Sequence, residues 1–206
     1  FLKDKVSCSA SSFPSNITSV NSYAIFSAND GTAGYEPWIT DGTTSGTLLL
    51  KALETGTGSS SPSNFTYVKD LDLVFFMTQD SNNHRKLWAT DGTSSGTVMI
   101  KDIRVGAGGS GITSPISTGD NLFFKVFIGG MTSLWVSDET NTGTIKLTDL
   151  SLCDYMVALD SSKLIFAQDN TSPINYGREL WKSDGTIAGT TLLKDIYPGT
   201  NDGIPT

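Results

Sequence analysis

An all-β fold built from four tandem units is what this sequence of 206 residues predicts, and three observations carry it. The first is a phrase written four times: "EPWITDGTTSGTLLLKA" from Glu36, "KLWATDGTSSGTVMIKD" from Lys86, "SLWVSDETNTGTIKLTD" from Ser133 and "ELWKSDGTIAGTTLLKD" from Glu179. The second is the period. Trp38, Trp88, Trp135 and Trp181 stand 50, 47 and 46 residues apart, a spacing suited to four-stranded blades. The third is the pattern within a unit, where "NFTYVKD", "LDLVFFMTQ", "RKLWATDG" and "GTVMIKDI" are β-branched and aromatic runs separated by Gly, Asp and Asn. No segment sustains a helical period. Together they predict a four-bladed β-propeller in one domain over 1–206, with blades near 13–53, 62–103, 112–150 and 151–197.

Each unit reads as strands A to D in order. Strand A follows a proline in "FPSNIT" and "SPSNFT"; strand B is the most apolar run, as a strand covered on both faces should be. Strand C carries the tryptophan, preceded by Pro37, Leu87, Leu134 or Leu180. Two readings of the tryptophans compete: packing between neighbouring blades, which the large apolar area favours, and an aromatic platform for sugars. Glu36 and Glu179 share a strand face with their tryptophans and read as hydrogen-bond acceptors between blades. Lys86 and Ser133 fill the same slot, so it is not a catalytic carboxylate array.

Between strands C and D, Asp41, Asp91, Asp138 and Asp184 open the phrase D-G-T-x-x-G-T. An Asp bonding its own downstream backbone, followed by a glycine at positive φ, predicts a tight turn. A second glycine (Gly46, Gly96, Gly143, Gly189) releases the chain into strand D. In the third copy Glu139 replaces the first glycine, which predicts a relaxed turn there. Calcium ligation is the competing reading of the aspartates. One Asp per loop plus hydroxyls is a poor calcium cage, so no cofactor is expected.

The net charge of −7 and a pI near 4.5 argue against nucleic acid as a partner. The longest apolar run, "LFFKVFIGGM" from Leu122, is broken by Lys125 and two glycines, so no membrane insertion is expected. The chain begins at Phe1 without Met or a leader pattern, and reads as a processed product or a fragment. Asn16-Ile-Thr18, Asn64-Phe-Thr66 and Asn170-Thr-Ser172 fit the N-glycosylation pattern. Asn16 and Asn64 fall at the same repeat position, which favours an extracellular or cell-surface location. Cys8 and Cys153 form an even pair that predicts one disulfide, within a chain or between chains, against two separate thiols.

Catalytic material is scarce. His84 is the only histidine and sits in the polar stretch "QDSNNHRK". There is no nucleophile elbow, no Cys with a nearby His, no H-E-x-x-H and no phosphate-cradling loop. The expectation is a protein that is not an enzyme.

The four copies, the last nearly verbatim as "ELWKSDGTIAGTTLLKDIYPG" from Glu179, resemble the ELWxxDGT repeat family. The resemblance implies extracellular or surface proteins of tandem propeller-forming units, linked to adhesion, surface display and assembly, with no catalytic residues to carry over. One feature is peculiar to the ends: "FLKDK" at Phe1 matches "LLKDI" at Leu192, and "FPS" at Phe13 matches "IPT" at Ile204. The chain thus holds a surplus D-like strand at 1–7. Either the chain is a window on a longer array, or the surplus strand adds to a D edge of its own or a neighbouring molecule. Two functions follow: a non-catalytic structural or adhesive protein that associates with itself or with surface proteins and glycans, and a glycan- or small-ligand-binding propeller.

Overall fold

The computed structural model describes residues 11–80, 84–103, 111–151, 153, 155–170 and 177–198. The surplus strand expected at 1–7, Cys8 and the matching segment at Ile204 lie outside these residues. The described residues hold sixteen strands in four antiparallel four-stranded sheets, each following chain order. The first sheet comprises β1 (Ser15–Val20), β2 (Tyr23–Asn29), β3 (Tyr35–Thr40) and β4 (Leu48–Leu49). The second comprises β5 (Ser63–Val68), β6 (Leu73–Gln79), β7 (Arg85–Thr90) and β8 (Val98–Asp102). The third comprises β9 (Gly111–Ser117), β10 (Leu122–Ile128), β11 (Met131–Ser137) and β12 (Ile145–Leu150). The fourth comprises β13 (Met156–Ala158), β14 (Leu164–Asn170), β15 (Gly177–Ser183) and β16 (Thr191–Lys194). All-β class and four repeated sheets are as the periodicity predicts. Among the described residues no helix is long and apolar enough to cross a membrane.

Strand alternation gives each sheet two apolar faces. On one, here the forward face, Ile25 pairs with Ile39 and Phe75 with Ala89; on the other, the rear face, Phe26 pairs with Trp38 and Phe76 with Trp88. Both faces of the central strands are buried, which is why β6 and β10 read as near-continuous apolar runs.

The chain divides into two compact units, Phe1–Tyr67 with Asp72–Ser110, and Val68–Leu71 with Gly111–Thr206. In the first, Val20, Ile25 and Leu50 from the first sheet's forward side meet Phe65, Val74 and Phe76 from the rear side of the second, with Trp88 packed alongside. In the other, Phe123, Leu134, Val136, Leu147 and Leu150 meet Leu164 and Phe166, with Trp181 alongside. One rule thus recurs in both: a forward face accepts the Phe–Trp rear face of the following sheet. Each fully buried Phe contributes roughly 2 kcal/mol or more of apolar transfer.

A second repeated feature was not anticipated. Strand A carries a bulge in the first and third sheets, and at the same repeat position Asn16, Asn64 and Ser114 take φ of 54°, 55° and 53°. Asn tolerates this left-handed conformation better than most residues.

Candidate functional site

The loops joining strands C and D are the most repeated local structure, and each is a closed hydrogen-bond network. In the first, the Thr43 amide and hydroxyl both donate to Asp41 Oδ1, at 2.9 and 2.7 Å. The same Thr43 hydroxyl accepts from the Gly46 amide at 2.9 Å. Thr47 then donates to the Thr43 carbonyl at 2.6 Å and shares a 2.8 Å bond with Thr40 across the loop mouth. The pattern repeats at Asp91 with Thr93, Gly96 and the Thr90–Thr97 pair. It recurs at Asp138 with Thr140, Gly143 and Ser137–Thr144, and at Asp184 with Thr186, Gly189 and Ser183–Thr190.

The paired hydroxyls are the functional part that sequence reading missed, although a Ser or Thr precedes every one of the four aspartates. Hydroxyl and amide donation by the threonine holds the carboxyls of Asp41, Asp91 and Asp184 below the usual carboxylate range. The donors converge on Oδ1, so the loop is built around the carboxylate as an internal acceptor.

Two expectations about these loops need correction. The third turn is not relaxed: Glu139 holds φ of 75°, close to the 89°, 88° and 86° of Gly42, Gly92 and Gly185, and the Asp138 bonds match those of its siblings. The hydroxyl network forces the same backbone on a residue with a Cβ. Nor does the second glycine act as a release point. A Cβ on Gly46, Gly96, Gly143 or Gly189 would lie 1.9 to 2.1 Å from the aspartate Oδ1, so glycine is required by the carboxylate seated against its Cα. The connection is also longer than a tight hairpin, since β3 ends at Thr40 and β4 starts at Leu48.

The tryptophans lie within the sheets. Trp88 and Trp135 stack on their cross-strand partners Phe76 and Phe124, and Trp181 is tilted against Phe166, with ring centroids 6.3 to 6.4 Å apart; Trp38 is buried. Indole N–H donation goes to the Ala28 carbonyl, Thr78 Oγ1 and Ser133 Oγ in the first three sheets. Trp181 Nε1 is buried without a partner, as is Gln168 Oε1, the residue at the repeat position of Thr78. Trp88 and Trp181 pack against the cores of their units, and Trp38 is buried, a placement that suits packing better than a sugar platform.

Glu36 and Glu179 are fully buried and tie down the connection leaving strand D. Glu36 accepts from the Leu53 and Glu54 amides at 3.0 and 3.2 Å and from the Ser60 hydroxyl at 2.7 Å. Glu179 accepts from the Ile196 and Tyr197 amides at 2.9 and 3.3 Å. Burial pushes the Glu36 carboxyl above its ordinary range, against the opposing pull of those donors. The acceptor role was legible in sequence; the partner segment was not.

The remaining predicted residues scatter. His84 Nδ1 lies 3.2 Å from Asp80 Oδ2, with Lys86 Nζ 3.5 Å from the same oxygen, a local cluster at a hairpin. Asn16 is exposed, whereas Asn64 is half-buried with Nδ2 3.3 Å from Met77 Sδ. Cys153 is half-buried and packs against the core of its unit; the predicted pairing to Cys8 falls outside the described residues. Among the described residues no three His, Cys, Asp or Glu side chains gather as a metal cluster.

The fourth sheet carries a groove of about 500 Å³ on its forward face, lined by Tyr155, Val157, Ile165, Ala167 and Leu180 among others. Its lining is apolar. Ligand pockets for polar molecules need convergent polar groups, and among its side chains this groove supplies only the Tyr155 hydroxyl.

No family model and no curated protein matches the sequence. Among solved structures, the chain is similar to a protein of Agrobacterium tumefaciens provisionally designated TolB, at 12% identity over 96% of this chain and 72% of the other, with a TM-score of 0.54. It is also similar to a protein of Bacteroides fragilis provisionally assigned as a 6-phosphogluconolactonase, at 12% identity over 88% of this chain and 54% of the other, with a TM-score of 0.50. The chain thus spans only part of either relative. At these identities the likeness concerns fold alone, and with the four four-stranded sheets it makes this chain a β-propeller protein.

Proposed function

We propose that this chain is a non-catalytic, extracellular structural or adhesive propeller protein, glycosylated and able to associate with itself. The observation that carries the reading is where the repeated polar residues point. The four aspartates, their threonines and the two buried glutamates all bond within their own sheet or its outgoing connection, so the motif describes a scaffold. Exposed apolar side chains such as Phe127, Met131 and Tyr155 and the exposed sequon at Asn16 fit association and display better than turnover. The ELWxxDGT resemblance points the same way.

Glycopeptide mass spectrometry on the native protein tests the compartment: hexose-bearing peptides at Asn16 support it, and a fully unmodified native chain sinks it. The alternative, a glycan- or small-ligand-binding propeller, draws on Tyr155, which is exposed at the rim of the forward groove. Retention of the monomeric protein on immobilised glycans, lost on Tyr155→Ala, would favour that alternative.

A further inference from the structure

An aspartate followed by glycine is open to attack on itself. The glycine amide nitrogen reaches the aspartate Cγ because no Cβ on the second residue obstructs it. A bond forms between that nitrogen and Cγ, and the amide proton leaves with the carboxyl hydroxyl as water, so that a cyclic imide remains. Water then opens the imide at its main-chain carbonyl carbon and routes the backbone through the side chain, leaving an isoaspartate. The reaction needs an amide free to lose its proton and a carboxyl in its acid form. Among the described residues four pairs carry this hazard: Asp30-Gly31, Asp41-Gly42, Asp91-Gly92 and Asp184-Gly185.

Both requirements are opposed at every one of them. The Gly42 and Gly92 amides donate to Thr40 and Thr90 Oγ1, each at 3.1 Å. The Gly185 amide donates to Ser183 Oγ at 3.2 Å, and the Gly31 amide to Asn29 Oδ1 at 2.7 Å. In each case the acceptor is the side chain immediately before the aspartate, a local bond of the kind short polar residues make to nearby backbone. The carboxyls are engaged as well. Asp30 Oδ1 accepts from the Thr32 amide and hydroxyl at 2.8 and 2.7 Å, just as the loop aspartates accept from their own threonines. Against the upward push of its burial, the Thr32 hydroxyl and the Ala33 and Thr32 amides hold Asp30 below the usual carboxylate range. Asp41, Asp91 and Asp184 are lowered too, so the acid form is scarce at neutral pH.

Two departures from the repeat separate this device from the loop that houses three of its copies. Asp30-Gly31 lies between β2 and β3, outside any C–D loop, and its acceptor is an amide oxygen instead of a hydroxyl; the restraint is nevertheless the same. Conversely, Asp138-Glu139 keeps the Thr140 bonds and the Ser137–Thr144 pair of its loop, yet the Glu139 amide makes no bond to Ser137. There the Glu139 side chain itself obstructs the attack. The amide restraint follows the Asp-Gly pair, not the loop. We infer that Asn29, Thr40, Thr90 and Ser183 each hold the following glycine amide away from the aspartate Cγ, and that Asp30, Asp41, Asp91 and Asp184 become sites of isoaspartate formation when that hold is removed.

Two variants of the full chain test this, each removing one acceptor. Asn29→Ala takes away the only hydrogen bond of the Asn29 side chain, and Thr90→Val replaces a buried hydroxyl by a methyl of the same shape. Wild type and variants are stored for weeks at mildly acidic pH, and isoaspartate is measured at each site by mass spectrometry with fragmentation that separates the isomers. In wild type the four sites isomerise more slowly than the same segments made as short peptides. Asn29→Ala speeds Asp30 and Thr90→Val speeds Asp91, each about threefold to tenfold, as loss of one amide hydrogen bond allows. The untouched sites in the same molecule keep their wild-type rates. Wild-type sites as fast as the peptides overturn the inference, as do variants whose Asp30 and Asp91 rates stay at the wild-type level. Acceleration of all four sites together in Asn29→Ala overturns it also, because protection would then come from the stability of the whole fold and not from the neighbouring side chain.

Discussion

Glu139 gives the sharpest test of how the repeated loop works, because it places an ordinary residue where the other three copies place glycine. Its φ of 75° lies in the left-handed region, which costs a residue with a Cβ about 1–2 kcal/mol. Replacing it by glycine removes that strain but restores chain freedom to the unfolded state, costing about 0.5–1 kcal/mol. Glu139 is exposed, and the Asp138 bonds at 3.0 and 2.7 Å do not involve its side chain. Glu139→Gly therefore stabilises the protein by about 0.5–1 kcal/mol, and the converse, Gly42→Ala, destabilises it by a similar amount. Gly42 is the clean counterpart, since a Cβ there meets no atom within 4 Å. Urea unfolding followed by tryptophan fluorescence reads both, with an unchanged slope showing that stability alone has moved. A Glu139→Gly variant no more stable than wild type, alongside a Gly42→Ala variant that does lose stability, would refute the claim that the third loop holds the same strained turn.

Four further outcomes follow from the same contacts. Gly96→Ala drives a Cβ into Asp91 and breaks the two bonds from Thr93, costing about 2 kcal/mol; in an Asp91→Ala background most of that penalty disappears, a coupling that a double-mutant cycle measures. Glu36→Ala strands the Leu53, Glu54 and Ser60 donors and costs about 2–5 kcal/mol in chemical denaturation. The Glu36 pKa is raised above 4.5, so its ionisation favours the unfolded chain: the stability of wild type relative to Glu36→Gln is greatest below pH about 4.5 and falls as pH rises through the raised value. Asp91 and Asp184, lowered below 3.8, behave oppositely, with a contribution present above that pH and lost as pH falls through the lowered values. In a glycosylating host, Asn16 is modified to a higher occupancy than Asn64, read by glycopeptide mass spectrometry, because Asn64 Nδ2 faces Met77 Sδ.

The strands were legible because their side chains alternate and their boundaries are marked by Asp-Gly and Asn, and those are local properties of the chain. The first glycine of the other three loops, Gly42, Gly92 and Gly185, was legible for the same reason. What lay beyond the sequence depends on groups that meet only after folding. Thr40 and Thr47 bond across a loop whose length had been taken as a tight turn, and Gly46 is fixed by a carboxylate five residues earlier. Asn16 and Asn64 show a different limit. Their shared register was taken as a sign of modification, yet the strand-A bulge asks for a left-handed residue at that place, which Asn supplies and which Ser114 also adopts without any sequon. Register alone therefore cannot separate the two causes.

The division between repeated and varied residues carries the last step. Residues that recur in the four units, the aspartates, threonines and glycines of the loops, act within a sheet, and a sheet is the same problem each time. Residues that vary, such as Ile39, Ala89, Val136 and Lys182 at one forward position, face whatever lies beyond the sheet, and that neighbour need not be the same. Lys182 was thus the one visible sign in the sequence that the fourth forward face differs from the others. A buried lysine there would have to lose its hydration without a partner, and Lys182 is exposed.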